Sequence, residues 1–298
     1  MPADNAWNTV HLVPPTPFTA DGRHVDTDCL ARLLDGCLAA GIRVVIPAAG
    51  TGEFHSLTTA EASQAIATTI PVCKGRAKVL APIGLGLEHA LTVGEKAMAA
   101  GADGVLVMPP VHPYLGDEGV SLYFKAIHQA LGIPLWVYKR GPNPSDNTLL
   151  ALAKDGVITG VKYAVNDFNA VADFVLKSAG ACSVVCGTAE RNAPYFHLAG
   201  ARGFTSGAAA LFPLTSLKLH QALTDADYIE AMRLRQVLNP IEAFRARQAD
   251  ALNITTIKAG LELLGCPVGP VRPPNRPLTD AEMAELAIIV TEINRQEA

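Results

Sequence analysis

Lys162 lies in the run ITGVKYAVND, near the end of an apolar stretch that carries no acid before Asp167. Burial disfavours an ammonium ion and lowers its pKa towards the range in which the free amine attacks a carbonyl. A lysine whose stem is buried and whose head reaches water, or one paired with a carboxylate, would account for the same position. The preceding apolar run, IPLWVYKRGP, ends on Tyr138. Beside such an amine its phenol could relay protons between nitrogen, a leaving hydroxyl and the substrate; otherwise it is an apolar ring with its hydroxyl at a surface.

Two further runs could receive an anion. In AAGTGEFHSLT, Gly50 and Gly52 permit close backbone approach, Thr51 adds a hydroxyl and a helix is expected just beyond, which suits a carboxylate. An ordinary strand-to-helix turn would also need those glycines. His55 fits a helix start as well as it fits catalysis. GFTSGAAALFP presents Thr205 and Ser206 before Gly207, and CGTAE presents Gly187. These last two runs could also hold a phosphosugar on backbone amides.

These residues need a frame. Short β-branched runs alternate with helix-face spacing along the chain, the signature of strand–helix units and a parallel sheet. Candidate strands fall at residues 10–13, 43–48, 78–83, 104–108, 134–138, 158–163, 183–186 and 203–206. Stretches 28–40, 59–73, 87–100 and 118–130 space Ala and Leu as helix faces, and SLTTAEA carries the hydroxyl and acid of an N-terminal cap. Eight units in 298 residues predict one (β/α)8 barrel over residues 1–212, with a C-terminal helical extension over 213–298 packed on it. In such barrels the active residues sit at the C-terminal ends of the strands and in the loops that follow.

A net charge of −4, no basic cluster and 6% aromatic residues argue against a nucleic-acid partner. No apolar run reaches a membrane span and the N-terminus lacks a signal pattern, so a cytoplasmic protein is expected. The six cysteines are scattered without paired spacing and read as reduced, mostly buried thiols; no metal is expected.

Taken in order, VPPTPFTADGRHVD, AGTGE, GADGVLVMPP, the VY of strand five, GVK and GPVRPP resemble the motifs of the dihydrodipicolinate synthase and N-acetylneuraminate lyase superfamily from about Val13 onward. The resemblance implies a class I, Schiff-base lyase: an imine on Lys162, proton transfer by Tyr138, a substrate carboxylate held by Thr51 and by backbone near Thr205, no cofactor, and a homo-oligomer built from tight dimers. Gly50, Arg140, Gly187 and Ser206 complete the expected substrate-contacting set. An arginine that follows the tyrosine by five residues in the lysine-pathway synthases is Asn143 here, and the tyrosine shared between subunits falls at His112, with Tyr114 close by. GTGEFHSL and the YKR run are more similar to 5-dehydro-4-deoxyglucarate dehydratase. That implies loss of a hydroxyl and then CO₂ from a 2-oxo sugar acid; an aldolase or condensing enzyme would use the same lysine. A non-catalytic regulator that binds a 2-oxo acid would need neither imine nor proton relay.

Overall fold

The computed structural model describes residues 5–297. Eight parallel strands close into a barrel in sequence order: β1 (Val10–Leu12), β2 (Val44–Val45), β3 (Lys78–Ile83), β4 (Gly104–Val107), β5 (Leu135–Lys139), β6 (Gly160–Tyr163), β7 (Ser183–Cys186) and β8 (Gly203–Ser206), with β8 pairing back to β1. The expected (β/α)8 architecture is present. β2 is shorter than its apolar run because Pro47 offers no ladder N–H and Ala48 takes φ 54°. β5 runs one residue past Tyr138, to Lys139.

The outer ring is α1 (Thr27–Ala40), α2 (Thr59–Cys73), α3 (Leu87–Ala100), α4 (Asp117–Leu131), α5 (Asp146–Lys154), α6 (Phe168–Ser178), α7 (Ala189–Leu198) and α8 (Pro213–Thr224). Their ends follow local chemistry. Asp26 caps α1 by accepting from the Cys29 N–H, and α1 stops at Gly41, whose φ of 116° suits a residue without a side chain. Thr58 and Glu61 form the reciprocal capping box that SLTTAEA suggested. α8 packs on α1 and β1 and so closes the ring. Beyond it, α9 (Tyr228–Arg245), the single turn α10 (Arg247–Asp250), α11 (Asn253–Leu263) and α12 (Asp280–Glu297) form the C-terminal layer, with α9 lying against α7 and α8.

Strand alternation divides the apolar residues into two bodies. Val44, Ile46, Leu80, Leu106, Met108, Trp136, Tyr138 and Val185 fill the barrel interior. Val45, Val79, Val105, Val137, Val161, Cys186 and Phe204 face the helices. No described helix is long and apolar enough to cross a membrane.

Candidate active site

Tyr138 and Lys162 are direct partners across the β5–β6 ladder. Because neighbouring parallel strands keep the same facing, both side chains enter the barrel interior near the C-terminal rim. Lys162 Nζ sits over the Tyr138 ring, 3.9 Å from its centroid. The amine is 5% exposed as a residue and makes no hydrogen bond or ion pair with a described residue. Burial, reinforced by the Arg140 guanidinium, brings its pKa down to about 7, so much of it is the free base at neutral pH. Burial pushes the Tyr138 phenol upward, which keeps it a proton donor. An uncharged amine beside a protonated phenol is a nucleophile with an acid at hand.

Gly187 makes room for the lysine. A Cβ there would stand 2.7 Å from Ala164 Cβ, 2.9 Å from the Tyr163 carbonyl and 3.1 Å from Lys162 Cγ. The adjacent loop is equally determined. Thr16 donates to the Gly52 carbonyl at 2.6 Å, and a Cβ on Gly52 would strike the backbone of Ala48. Gly50 faces open space, and the buried Thr51 hydroxyl has no protein partner among the described residues.

Residues at the rim carry charge. Arg140 is 58% exposed and pairs with Asp250 at 3.3 Å, while His55, at the surface, has its pKa lowered first by partial desolvation and then by Arg140. The next residue along β5 from Tyr138, Lys139, points outward instead, donating to the Pro144 carbonyl at 2.8 Å and lying 3.3 Å from Asp146, which also accepts from Tyr163. That anchors the loop that presents Arg140.

The two β8 hydroxyls part company. Thr205 faces inward, its hydroxyl 3.4 Å from the Cys186 carbonyl. Ser206 faces the helices, donating to Glu190 and accepting from the Ala209 N–H at 2.8 Å. Its side chain supports the loop and offers nothing to a ligand, contrary to the expected contact, because a one-residue step along a strand reverses the side chain's direction. His112 and Tyr114 lie exposed in the loop between β4 and α4, with the Tyr114 N–H donating to His112 Nδ1 at 3.1 Å.

Sequence reasoning missed the contribution of the C-terminal layer. Glu190 is wholly buried, accepts from Ser206 and Ser216, and is raised to about 7 by burial and by Glu242. Glu242 pairs with Arg245, whose Nη2 also donates to Asn253 Oδ1 at 2.8 Å. Among the described residues no cluster could hold a metal ion.

The Dihydrodipicolinate synthetase family matches residues 8–293. This chain belongs to that family. Family members are lyases of the class I aldolase type, and the protein is an enzyme of this kind. The chain is 33% identical over 261 residues to a probable 5-dehydro-4-deoxyglucarate dehydratase from Saccharopolyspora erythraea, covering 85% of this chain and 82% of that protein. It is 31% identical over 266 residues to a 4-hydroxy-tetrahydrodipicolinate synthase from Methanospirillum hungatei, covering 87% and 90%. Among solved structures, dihydrodipicolinate synthase from Oceanobacillus iheyensis superposes with a TM-score of 0.94 at 34% identity, covering 98% of each chain. Family members thus carry names for two different reactions.

Proposed function

We propose that this member of the family is a cofactor-independent lyase that forms a Schiff base between Lys162 and the ketone of a 2-oxo sugar acid, then removes water and CO₂. The observation that carries the reading is the buried, unpaired Lys162 amine in register with Tyr138. Lys162 Nζ adds to the ketone carbon, and Tyr138 supplies the proton with which the former carbonyl oxygen leaves as water. The resulting iminium accepts the electron pair released when the neighbouring carbon gives a proton to the Tyr138 phenolate. The enamine then expels the β-hydroxyl, which leaves as water with the proton held by Tyr138; the far carboxylate departs as CO₂, its bonding pair passing through the new double bond to the iminium, and reprotonation and attack of water then release Lys162. An aldol cleavage would break a carbon–carbon bond from the same iminium.

Three features favour the dehydratase assignment within the family: the GTGEF loop, Asn143 in place of the synthase arginine, and Arg140 at the rim, where a second carboxylate of a diacid would sit. Thr51, the Gly50 backbone and Thr205 take the carboxylate next to the ketone. The exposed loop carrying His112 and Tyr114 is assigned to self-association, which sedimentation of Tyr114→Ala would test by a shift to smaller species. The function itself is tested by incubating the enzyme with a panel of 2-oxo sugar acids and identifying products by mass spectrometry. Release of one CO₂ and one water from a six-carbon diacid supports it; conversion of pyruvate and an aldehyde to a longer acid would overturn it.

A further inference from the structure

Gly207 raises a question that its backbone does not answer. It sits at φ −87° and ψ −33°, a conformation open to any residue, so glycine is not required there for the turn. What a side chain would meet is specific: a Cβ at Gly207 would lie 2.6 Å from Arg245 Nη2 and 2.9 Å from Thr51 Oγ1. The space a methyl group would fill is bracketed by a guanidinium from the C-terminal layer and by the hydroxyl of the loop after β2.

We infer that Arg245 is a substrate-binding residue, admitted by the missing side chain of Gly207, which with Thr51 takes the carboxylate next to the reacting ketone. The inference rests on the Schiff-base reading of Lys162 and adds a charged partner to a site otherwise made of the Thr51 and Thr205 hydroxyls and backbone.

The chemistry of the guanidinium allows this. Arg245 is 5% exposed. Nη1 donates to Glu242, Nη2 gives one N–H to Asn253 Oδ1, and Nε reaches the Asn253 carbonyl at 3.4 Å. Each terminal nitrogen carries two N–H groups, so the one on Nη2 not used by Asn253 has no acceptor among the described residues. The planar fork can serve two carboxylates at once, Glu242 on one side and a ligand on the other. Thr51 Oγ1, likewise without a partner, lies beside it, and Gly50 opens the adjacent space. The charge of Arg245 is also felt at Lys162, which places both within one electrostatic environment.

The chain bends sharply to keep this arrangement. Gln248, Ala249 and Asp250 all have positive φ, at 53°, 55° and 68°, an unfavourable run for residues with side chains. The bend, which makes up most of α10, turns the chain so that Asn253 reaches Arg245 while Asp250 reaches Arg140. One strained turn therefore orients both guanidiniums. A merely structural arginine would account for the Glu242 pair, but not for a glycine kept clear in front of Nη2.

The test measures the concentration of pyruvate, or of its neutral amide pyruvamide, that gives half-maximal cyanoborohydride labelling of Lys162. Two variants are compared with wild type. Gly207→Ala drives a methyl group into the guanidinium while leaving the ion pair chemically intact, and Glu242→Gln with Arg245→Gln removes both charges so that no carboxylate is stranded. Losing a charge-assisted hydrogen bond should raise the half-saturating pyruvate concentration about ten- to a hundredfold in each, with pyruvamide changed less than about twofold. Equal shifts for both compounds would mean that Arg245 acts only structurally, and unchanged pyruvate saturation would mean that it does not touch the carboxylate; either overturns the inference and leaves the lysine assignment standing. Absence of labelling in wild type would instead remove the Schiff-base reading and this inference with it.

Discussion

Lys162 Nζ lies over the face of the Tyr138 ring, 3.9 Å from its centroid, while the two residues pair across adjacent strands. The phenol therefore shares the amine's cavity without capturing it in a hydrogen bond, which leaves Nζ free to attack. Lys162→Ala should abolish both labelling by a 2-oxo acid with borohydride and turnover. Tyr138→Phe should keep labelling at long incubation yet lose about 10²–10⁴-fold in kcat, the usual worth of positioned proton transfer. Peptide mass spectrometry and steady-state rates check the two defects separately; wild-type turnover by Lys162→Ala would remove the mechanism.

The lowered pKa of Lys162, about 7, sets the direction of two pH dependences. Only the free amine adds to a ketone, so the initial labelling rate should climb about tenfold per pH unit below 7 and level off above it. Stability runs through the same group. Between about 7 and the ordinary lysine value of 10.5 the unfolded chain binds a proton that the folded chain does not, so stability rises with pH across that window. Lys162→Met should therefore raise the thermal midpoint, more at pH 6 than at pH 10. An equal gain at both values would mean that the lysine is not desolvated.

Two motifs far apart in the chain hold each other. Glu53, the acid of GTGE, pairs with the buried Lys258 at 2.7 Å and accepts from the Arg272 N–H at 2.9 Å, and Arg272 reaches Glu61 at 2.7 Å while stacking on Phe18. The clasp ties the loop bearing Thr51 to α11 and to the GPVRPP segment. Glu53→Ala strands a buried ammonium, a change that typically costs about 3–5 kcal/mol. The midpoint in a denaturant titration should drop accordingly, and the Thr51 loop should become open to proteases; a stability within about 1 kcal/mol of wild type would show that the clasp is dispensable.

Legibility in the sequence followed the range of the interactions. Strands β5 and β6 are apolar runs with a polar residue at the rim, so the positions of Tyr138 and Lys162 are legible in the sequence alone. Ser206 could not be aimed, because a hydroxyl one residue along a short strand is indistinguishable in sequence from its inward neighbour Thr205. Lys139 is plain in the sequence as the middle of the YKR run, but its role as the outward anchor of the Arg140 loop is not. The group around Glu190, Glu242 and Arg245 leaves no local sign: its members come from α7 and α9, and only the packing of the C-terminal layer against the barrel brings Arg245 to Gly207.

Space around the lysine stem gives a further test. Gly187 is closed in by Ala164 Cβ, the Tyr163 carbonyl and Lys162 Cγ, all within 3.1 Å of where a Cβ would stand. The Tyr163 carbonyl and the Ala164 Cβ are fixed to the backbone at the end of β6 and cannot turn aside, so the flexible lysine must move. Gly187→Ala should cost about 1–3 kcal/mol of stability through overpacking. It should also lower kcat by more than it changes KM, since misplacing a reacting atom by an ångström is expensive while the carboxylate cradle is untouched. A KM effect alone would place Gly187 in substrate binding and not in lysine positioning.

Arg140 separates the substrate reading from the lysine reading. It stands at the rim, paired with Asp250 at more than a third exposure on each side, so the pair itself contributes little to stability and can open for a ligand. If the rim guanidinium holds the far carboxylate of a diacid, Arg140→Met should raise KM for a six-carbon 2-oxo diacid about ten- to a hundredfold, while the pyruvate concentration for half-maximal labelling, measured well above pH 8, stays near wild type. Arg140 is also the largest of the charges that lower the Lys162 pKa, so its removal should move the labelling profile to higher pH. The two readouts are independent: the pH shift reports the proximity of Arg140 to the amine, and the KM change reports recognition of the second carboxylate. A pH shift without a change in KM for the diacid would keep Lys162 as the reactive group and exclude Arg140 as the determinant of a dicarboxylate substrate.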